Sequence, residues 1–472
     1  MKKQFLIAFL MFVQIINGQS VFDSELVKFI ENDHLSSSII GLELMDGKNG
    51  KVILEHNANK LLVPASIQKL YTTSYALNIL GLNYSFNTTV FTNGEIDDQT
   101  LNGDLFISLS GDPSLESRFF DSISFFKDLK NSLIDLNVKA IKGQLILLPE
   151  EDDYQVNSQW LWGDLGNYYG GGYSTHTFKD NYVEVFFNST DSVGEITSIN
   201  ELYPSVSNFT IDNRVVGGVI NKDLSYAFGA PYQKERRMNG EIPINKNGYK
   251  VKISMHDPKA FLKSSIISEL EKSNIHFSNI SFPKTNFSDT IFVYSSPKLS
   301  ELISCVNFKS NNNYAEHLMM KSALTKDSSV LLDDAASIME EYWKEKLDID
   351  NGILFVDGSG LSRKNLSSAH AINQLLFFQL NQTQNETKNS FINSLPTAGF
   401  NGTLKYLGKG TKIEGNFIGK SGSMGGVRCY SGYFIKNNNY YPFTIMVNNF
   451  LCKDKFIRKQ IENLMNNLYD EI

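Results

Sequence analysis

The sequence predicts a mixed α/β (α+β) protein with one antiparallel sheet, helices on both faces of that sheet, and a large strand-rich inserted region. Three observations lead to this prediction. Short segments of alternating apolar residues occur near both ends of the 472-residue chain. Amphipathic helical patterns cover residues 21–34 near the start and residues 453–470 at the end. The middle, residues 90–290, is rich in strand patterns such as Tyr182–Phe187.

The first 18 residues have the pattern of a secretory signal peptide. Lys2 and Lys3 precede the apolar run Phe5–Ile16, and the predicted cleavage lies near Gly18. The run is short for a transmembrane helix, although an uncleaved anchor remains an alternative. We therefore expect secretion across the inner membrane into the periplasm. No later stretch is long and apolar enough to span a bilayer, so the mature protein should have no membrane span.

The start of the mature chain contributes one helix and two strands to the predicted sheet domain. The helix at 21–34 would have one apolar face, formed by Val21, Phe22, Leu26, Phe29 and Ile30. Strands at 38–44 and 51–55 flank the turn Asp-Gly-Lys-Asn-Gly at 46–50. The next predicted element is a helix that begins near Pro64, where a proline in the first turn costs little. One face of this helix would be buried, formed at helical spacing by Leu70, Thr73, Ala76, Leu77 and Leu80.

The end of the chain contributes three strands and a closing helix. The strand patterns cover residues 415–420, 428–435 and 440–448. The helix at 453–470 would turn inward Phe456, Ile457, Ile461, Leu464 and Leu468. Because both chain ends supply strands to one sheet, the region between them reads as an insertion.

A chain of this length is expected to form two or three domains. We predict a discontinuous catalytic domain from residues 19–89 and 291–472. An inserted domain would comprise residues 90–190 and 251–290, and a smaller subdomain nested within it would comprise residues 191–250.

The segment Pro64–Lys69, with the sequence Pro-Ala-Ser-Ile-Gln-Lys, has the pattern of a serine nucleophile with its own base. Residues three apart on a helix share a face, so the Ser66 hydroxyl and the Lys69 amine can meet. A desolvated lysine can lose its proton near neutral pH and then take the proton of the serine. By itself the pattern is weak, because Ser-x-x-Lys also occurs by chance.

Two later motifs strengthen this interpretation. Ser310-Asn311-Asn312 supplies Ser-x-Asn, and Lys420-Ser421-Gly422 supplies Lys-Ser-Gly. The order of the three motifs resembles the signature of the penicillin-recognising serine acyl-transferases. The alternative is that these segments are only polar turns and a basic strand end, without a catalytic role.

The resemblance assigns chemical roles to the second motif. Ser310 would relay a proton between Lys69 and the leaving amine. Asn312 would donate a hydrogen bond to a substrate carbonyl and orient Lys69.

The third motif would bind the substrate. Lys420 would supply a positive charge for the terminal carboxylate, and Ser421 a hydroxyl for the same group. Gly422 would let the substrate strand lie close to the edge of the sheet. The backbone N–H groups of Ser66 and Ser423 would form the oxyanion hole.

Three further segments resemble one family within this superfamily. Asp357–Arg363 reads Asp-Gly-Ser-Gly-Leu-Ser-Arg, Ser110–Pro113 reads Ser-Gly-Asp-Pro, and Leu395–Leu404 contains Leu-Pro-Thr-Ala-Gly and Gly-Thr-Leu. These segments are similar to those of the D-alanyl-D-alanine carboxypeptidase/endopeptidases, the class C low-molecular-mass penicillin-binding proteins of the DD-peptidase/β-lactamase superfamily. The chain departs at Ser421, where Thr is commoner, and at Asn311, where Asp is common.

An aromatic segment within the insertion is a candidate for recognising a substrate side chain. Trp162, Asp164 and Tyr169 could surround a cationic group. The resemblance implies contact with the amine end of the stem-peptide side chain. The alternative is an aromatic core patch with Asp164 as a turn or cap residue. Arg363 would bind substrate or pair with a nearby acid.

The resemblance implies a serine DD-peptidase that cleaves peptidoglycan stem peptides ending in D-Ala-D-Ala, or their cross-links, through a Ser66 acyl-enzyme. β-Lactam antibiotics would be covalent inhibitors, and no metal or other cofactor would be needed. Two alternatives stay open. One is a β-lactamase or esterase of the same fold, and the other is a non-catalytic peptidoglycan-binding protein.

Composition excludes other classes of function. The net charge of −7, with no basic block, argues against a nucleic-acid partner. The three cysteines are Cys305, Cys429 and Cys452, and we expect free thiols, with a bridge between the last two, placed on the last two strands, as the alternative. His317 follows the second motif on a helix and is expected to pack or face solvent.

Overall fold

The computed structural model describes residues 21–207, 209–282 and 288–472. The predicted signal peptide at residues 1–18 lies outside the described residues. No helix within the described ranges has the length and apolar character needed to cross a membrane.

The helices alternate with strands along the whole chain, as expected for a mixed α/β protein. They are α1 (Val21–Ile30), α2 (Lys69–Leu80), α3 (Phe125–Asp135), α4 (Trp162–Leu165), α5 (Pro258–Glu271), α6 (Leu299–Lys309), α7 (Asn312–Ala323), α8 (Leu332–Leu347), α9 (Ala369–Leu380), α10 (Asn385–Asn393) and α11 (Asp454–Glu471). Short 3₁₀ turns cover Asp33–Leu35, Ala65–Gln68, Tyr168–Gly170, Lys179–Asn181 and Gly402–Leu404.

The strands concentrate at the chain ends and in the middle. They are β1 (Ile39–Met45), β2 (Val52–His56), β3 (Asn87–Thr92), β4 (Glu95–Asp97), β5 (Thr100–Asn102), β6 (Leu105–Ser108), β7 (Ala140–Ile141), β8 (Leu145–Leu148), β9 (Tyr182–Ser189), β10 (Ser198–Tyr203), β11 (Thr210–Gly218), β12 (Tyr226–Phe228), β13 (Glu235–Pro243), β14 (Lys246–Ser254), β15 (His276–Phe277), β16 (Asp289–Ser295), β17 (Ile353–Leu354), β18 (Leu366–Ser367), β19 (Phe417–Met424), β20 (Val427–Lys436) and β21 (Asn439–Asn448).

The two chain ends build one antiparallel sheet, which confirms the predicted fold class. Among the described residues its strand order is β19-β20-β21-β1-β2, with Ile40 of β1 opposite Val447 of β21. Successive residues of β20 face two different cores because side chains alternate across a strand. Tyr433 packs with α2 and the helices around it, whereas Phe434 packs with α1 and α11. Helices therefore cover both faces.

The terminal helices differ slightly from the predictions. Helix α1 ends at Ile30, before the predicted end at 34, because Asn32 caps a separate 3₁₀ turn by accepting a hydrogen bond from the His34 N–H. In α11, Phe456 is half-buried and lies against the His34 ring, 4.8 Å between centroids. The other four predicted inward residues of α11 are buried.

The middle of the chain forms further small sheets. Their strand orders are β16-β3-β6-β8, β15-β7-β5-β4, β10-β9-β14 and β11-β13-β12. Strands β3 and β16 pair antiparallel, with Asn87 opposite Ser295, so the chain enters and leaves this region side by side. The proposed division at residues 90–190, 191–250 and 251–290 stays a prediction.

Helix α2 differs from the prediction of one buried face. Every residue from Lys69 to Leu77 is buried, whereas the predicted inward Leu80 is half-buried. The reason is that α6 and α7 pack against α2 while the sheet lies behind the turn that precedes it. The Ser-x-x-Lys motif therefore lies at the centre of the molecule.

Candidate active site

The Ser66 hydroxyl and the Lys69 amine meet at the start of α2. Ser66 lies in the 3₁₀ turn Ala65–Gln68, and Lys69 is the first residue of the helix. Residues three apart eclipse each other in a 3₁₀ turn, which places Lys69 Nζ 3.1 Å from Ser66 Oγ. Ala65 has a φ of 47°, an unusual value for a residue with a side chain. The chain thus makes a sharp turn into the serine.

Two carbonyl oxygens fix the orientation of the Lys69 amine. Lys69 Nζ donates to Asn312 Oδ1 at 2.7 Å and to the backbone oxygen of Ser359 at 2.5 Å. Neither oxygen can donate a proton, so both must receive an N–H of the lysine. A neutral amine has two N–H groups and one lone pair. With both N–H groups committed, the lone pair faces Ser66.

Burial and two acids act in opposite directions on Lys69. Complete burial is the largest effect and lowers the pKa of Lys69 to about 7. The carboxyl groups of Asp357 and Glu316 act against this and raise that pKa. The result is a lysine that exchanges its proton near neutral pH, as a general base requires.

The Asp-Gly-Ser-Gly loop that supplies the Ser359 oxygen is held by two buried carboxyl groups. Glu316 accepts hydrogen bonds from the backbone N–H groups of Gly358 at 3.1 Å and Ser359 at 2.8 Å. Burial raises the pKa of Glu316, and the nearby Asp357 adds to this effect. Asp357 itself accepts hydrogen bonds from Gly360 N, Ser362 N, Asn365 Nδ2 and Trp160 Nε1.

Two glycines let the surrounding elements approach the nucleophile turn. A Cβ at Gly360, which has a φ of +78°, would collide with the Ala65 backbone oxygen. A Cβ at Gly422 would lie 2.6 Å from the Pro64 oxygen and 3.1 Å from Ser66 N. The prediction gave Gly422 a role in letting a substrate strand approach. In the structure its missing side chain makes room for the nucleophile turn.

The second and third motifs meet through Lys420 and Ser310. Lys420 Nζ donates to Ser310 Oγ at 2.9 Å and to the backbone oxygen of Ser421 at 2.8 Å. Ser310 has a left-handed conformation, with a φ of 55°, between α6 and α7. Burial, and secondly the charge of Lys69, lower the pKa of Lys420 well below its usual value. Ser310 thus contacts Lys420, whereas the predicted relay places it beside Lys69.

The remaining residues of the third motif lie on β19, an edge strand of the described sheet. Ser421 is half-buried and Ser423 is exposed, opposite Arg428 of β20. Asn312 uses its amide Nδ2 to donate to the backbone oxygen of Tyr169 at 2.9 Å. Its contact with Lys69 fits the predicted orienting role, while the protein uses one of the two N–H groups of its amide.

The structure brings three of the four predicted side-chain-recognition residues into one area. Tyr169 Oη donates to Asp164 Oδ1 at 3.3 Å. The pKa of Asp164 is raised, because partial burial is the largest effect. This hydrogen bond and the charge of Arg363 lower it but do not cancel the effect of burial. Arg363 is exposed and donates to the Gly425 oxygen at 3.0 Å. Trp162, 56% exposed, instead stacks on Phe228, 6.4 Å between ring centroids.

Glu316 and Trp160 belong to the site but were not among the predicted site residues. Glu316 is four residues after Asn312 on α7, a spacing that puts both side chains on one helix face. That spacing was a usable signal. Trp160 gives no such signal, because its bond to Asp357 spans 197 positions of the chain.

The cysteines and His317 take no part in the site. All three cysteines are free. Cys305 and Cys429 are buried, and Cys452 lies in the loop after β21, so its predicted position on a strand was wrong. His317 is buried and packed, with Nδ1 2.8 Å from the Asn313 oxygen. Within the described ranges no group of His, Cys, Asp and Glu could hold a metal ion.

Almost the whole chain is similar to D-Ala-D-Ala carboxypeptidases. Residues 22–472 match the family described as D-Ala-D-Ala carboxypeptidase 3 (S13). The D-alanyl-D-alanine carboxypeptidase DacB of Haemophilus influenzae is 25% identical over 465 residues, covering 92% of this chain and 91% of that protein.

Solved structures share the fold. Penicillin binding protein 4 (dacB) from Haemophilus influenzae has a TM-score of 0.78 at 22% identity, covering 94% of this chain and 98% of that chain. The same protein complexed with a β-lactam has a TM-score of 0.71 at 23% identity, covering 95% of this chain and 99% of that chain. Because the family match spans almost the whole sequence, the chain belongs to the D-Ala-D-Ala carboxypeptidase 3 (S13) family of serine-type peptidases.

Proposed function

We propose that this protein is a class C low-molecular-mass penicillin-binding protein that cleaves peptidoglycan stem peptides through an acyl-enzyme on Ser66. The observation that carries the proposal is the position of the Lys69 amine. Its two N–H groups are directed to fixed carbonyl oxygens, and its lone pair faces Ser66 Oγ 3.1 Å away. A buried amine with a pKa of about 7 can then act as the base.

The acylation step follows from this geometry. Neutral Lys69 takes the proton of Ser66 as Oγ attacks the carbonyl carbon of the penultimate D-Ala. The C–N bond to the terminal residue breaks, and the leaving amine takes a proton. That proton is the one Lys69 took from Ser66, and the Ser310 hydroxyl, which accepts a hydrogen bond from Lys420 Nζ at 2.9 Å, would relay it to the amine. Water then hydrolyses the ester and restores the Ser66 hydroxyl.

Substrate binding is assigned to the edge strand β19. Lys420 and Ser421 would hold the terminal carboxylate, and the substrate backbone would run along the strand edge. The N–H groups of Ser66 and Ser423 would stabilise the oxyanion. Asp164, Tyr169 and Arg363 would contact the stem-peptide side chain. Trp162 stands beside Phe228 at the margin of this area.

The cellular setting is part of the same proposal. The sequence of residues 1–18 supports secretion to the periplasm, where stem peptides ending in D-Ala-D-Ala are found. β-Lactams would act as covalent inhibitors because they mimic the terminal dipeptide and acylate the same serine. One cleavage chemistry serves both carboxypeptidase and endopeptidase reactions, since the acyl carbonyl is the same.

Mass spectrometry with benzylpenicillin tests the proposal. We expect one covalent adduct, mapped to the peptide that contains Ser66, and no adduct in Ser66→Ala. Ser359→Ala is a matched control, because this nearby serine contributes only its backbone oxygen to Lys69. An intact drug with no adduct would contradict the acyl-transfer mechanism. Consumption of the drug without an adduct would instead support the β-lactamase alternative.

A further inference from the structure

A cavity of about 440 Å³ lies in the inserted region, apart from the residues of the active site. Its wall includes Arg118, Asp121, Asp180, Tyr182 and Tyr203. A neighbouring cavity of about 300 Å³ shares Lys179, Tyr203 and Pro204 with it, so the two form one groove. The first cavity alone has room for a peptide of a few residues.

Arg118 is held at the cavity wall in a way that leaves most of its hydrogen-bonding capacity free. Its guanidinium carbon lies 4.6 Å from the centroid of the Phe119 ring and 5.1 Å from that of Tyr182. Its ionic contact among the described residues is with Asp180, at 3.6 Å from Nε. The side chain is 41% exposed, and its two terminal nitrogens are available for a carboxylate, whose two oxygens match the guanidinium fork.

The cavity also contains acids that can receive a positive charge. Asp121 is exposed at the wall, and Glu116 accepts hydrogen bonds through Oε1 only, from Ser124 Oγ and Phe126 N. Lys250 is already paired with Glu184 at 2.8 Å. Lys179 also lines the cavity, with its ammonium group 4.8 Å from the centroid of the Tyr203 ring. The available charged groups are thus the Arg118 guanidinium, the Lys179 ammonium and the carboxylates of Asp121 and Glu116, a pattern that suits a ligand with both an anionic and a cationic end.

The backbone around the cavity is strained. Glu116, Lys179 and Asp180 line the cavity with φ values of 54°, 47° and 54°. Residues with side chains rarely adopt this left-handed conformation, which tends to occur at functional sites. Three such residues line one cavity, so the unusual backbone holds their side chains in fixed positions at its wall.

We propose that this cavity is a second binding site, separate from the acyl-transfer centre, for a short zwitterionic peptide whose carboxylate binds Arg118 and whose ammonium group binds Asp121 and Glu116. The site does not depend on the assignment of Ser66. It is connected to the second motif by packing, because Phe119 lies edge-on against Tyr314 of α7, 6.3 Å between ring centroids.

Isothermal titration calorimetry with the full chain tests the site. The probes are the all-L tripeptide Ala-Ala-Ala, its C-terminal amide and its N-acetylated form, none of which ends in D-Ala-D-Ala. We expect the free peptide to bind at least tenfold more tightly than either derivative. Arg118→Gln should remove the difference between acid and amide. Asp121→Asn should reduce the difference between the free and acetylated peptides, since Glu116 still contacts the ammonium group. Arg237→Gln is the control, because Arg237 is an exposed arginine paired with Asp212 outside the cavity.

Three outcomes would overturn the proposal. The first is no saturable binding of the free peptide to the wild-type protein. The second is equal affinity for the acid and the amide. The third is a preference for the acid that survives in Arg118→Gln. Thermal unfolding of each variant checks the fold, and the exposed position of Asp121 gives a second variant if Arg118→Gln is unstable.

Discussion

The surroundings of the two buried lysines of the active site differ in one respect. Lys69 has two carboxyl groups near it, Asp357 and Glu316, which counteract the effect of burial and keep its pKa at about 7. Lys420 is equally buried, but the charge acting on it is the positive charge of Lys69, and its pKa falls well below the usual value. Burial alone therefore does not define the role of a lysine; the charges around it do.

This difference suggests separate tasks for the two amines. Lys69 can exchange a proton near neutral pH within a site that is complete without substrate. Among the residues that the structure describes, Lys420 has no acid partner to stabilise its charged form, and its contacts are a hydroxyl and a backbone oxygen. A substrate carboxylate would supply the missing negative charge. We therefore expect the loss of Lys420 to slow the reaction of ligands with a terminal carboxylate more than that of uncharged ligands. The loss of Lys69 should slow the reaction of both.

The largest effect should follow from Lys69→Met, which removes the base and keeps the volume. We expect acylation by benzylpenicillin to slow by about 10³–10⁴-fold, the upper range for losing a general base. Stopped-flow or mass-spectrometric rates measure this loss. Lys321→Met is the control, because burial lowers the pKa of Lys321 as well but this residue lies near Phe86, away from Ser66. Near-normal acylation in Lys69→Met would disprove its role as the base.

An intermediate effect is expected from Lys420→Met. Losing one partner of a buried charge pair costs about 2–5 kcal/mol. The lower part of this range, at about 1.4 kcal/mol per factor of ten, predicts a fall of roughly 100-fold in kcat/KM for a peptide with a free terminal carboxylate. The same peptide with a C-terminal amide should react equally slowly with both proteins. If the variant lost the same factor on both peptides, Lys420 would act in catalysis and not as a carboxylate anchor.

The smallest effect is a shift of the pH profile. In the wild type, acylation requires neutral Lys69, so its rate should rise with pH and reach half its maximum near pH 7. Asp357 raises the pKa of Lys69, so Asp357→Asn should lower that pKa and move the acid limb to lower pH by about one unit. Per folded molecule, acylation of the variant would then be faster than that of the wild type at pH 6. The two acylation rates would be similar at pH 9.

The measurement is the acylation rate from pH 5 to pH 9, with thermal unfolding to confirm the folded fraction. Asp333→Asn serves as the control, since this carboxylate accepts a hydrogen bond from Ser158 N and is not among the charges that act on Lys69. A limb that stayed in place or moved to higher pH would contradict the electrostatic role of Asp357.

Sequence patterns predicted a helix or strand well where the residues of that element alone determine it. The strands of the central sheet lie within a few residues of their predicted bounds, because short apolar runs carry the strand signal, and most residues of β20 and β21 are buried. The Ser66–Lys69 contact was also predictable, since three residues of helical turn determine it. The extent of burial of α2 was not, because it depends on helices more than 200 positions away.

In the active site, too, contacts between residues far apart in the chain were not predictable from the sequence. Ser310 was expected beside Lys69 because motif order alone does not say which of two lysines a hydroxyl will contact. The structure places it on Lys420, 110 positions away in the chain. Trp162 was grouped with Asp164 because both lie in one aromatic segment and the resemblance pointed to it. Residues two apart on a helical turn point to different sides, and the indole stacks on Phe228.

The sequence by itself determined the nucleophile pair, the three motifs and the family resemblance, because these are properties of short segments with fixed chemistry. Tertiary structure alone decided the protonation of the two lysines and the partners of Ser310 and Asn312. It also formed the cavity around Arg118 from separate segments. The physical reason is that a pKa and a hydrogen-bond partner depend on distances and desolvation among residues far apart in the chain, and folding alone sets these quantities.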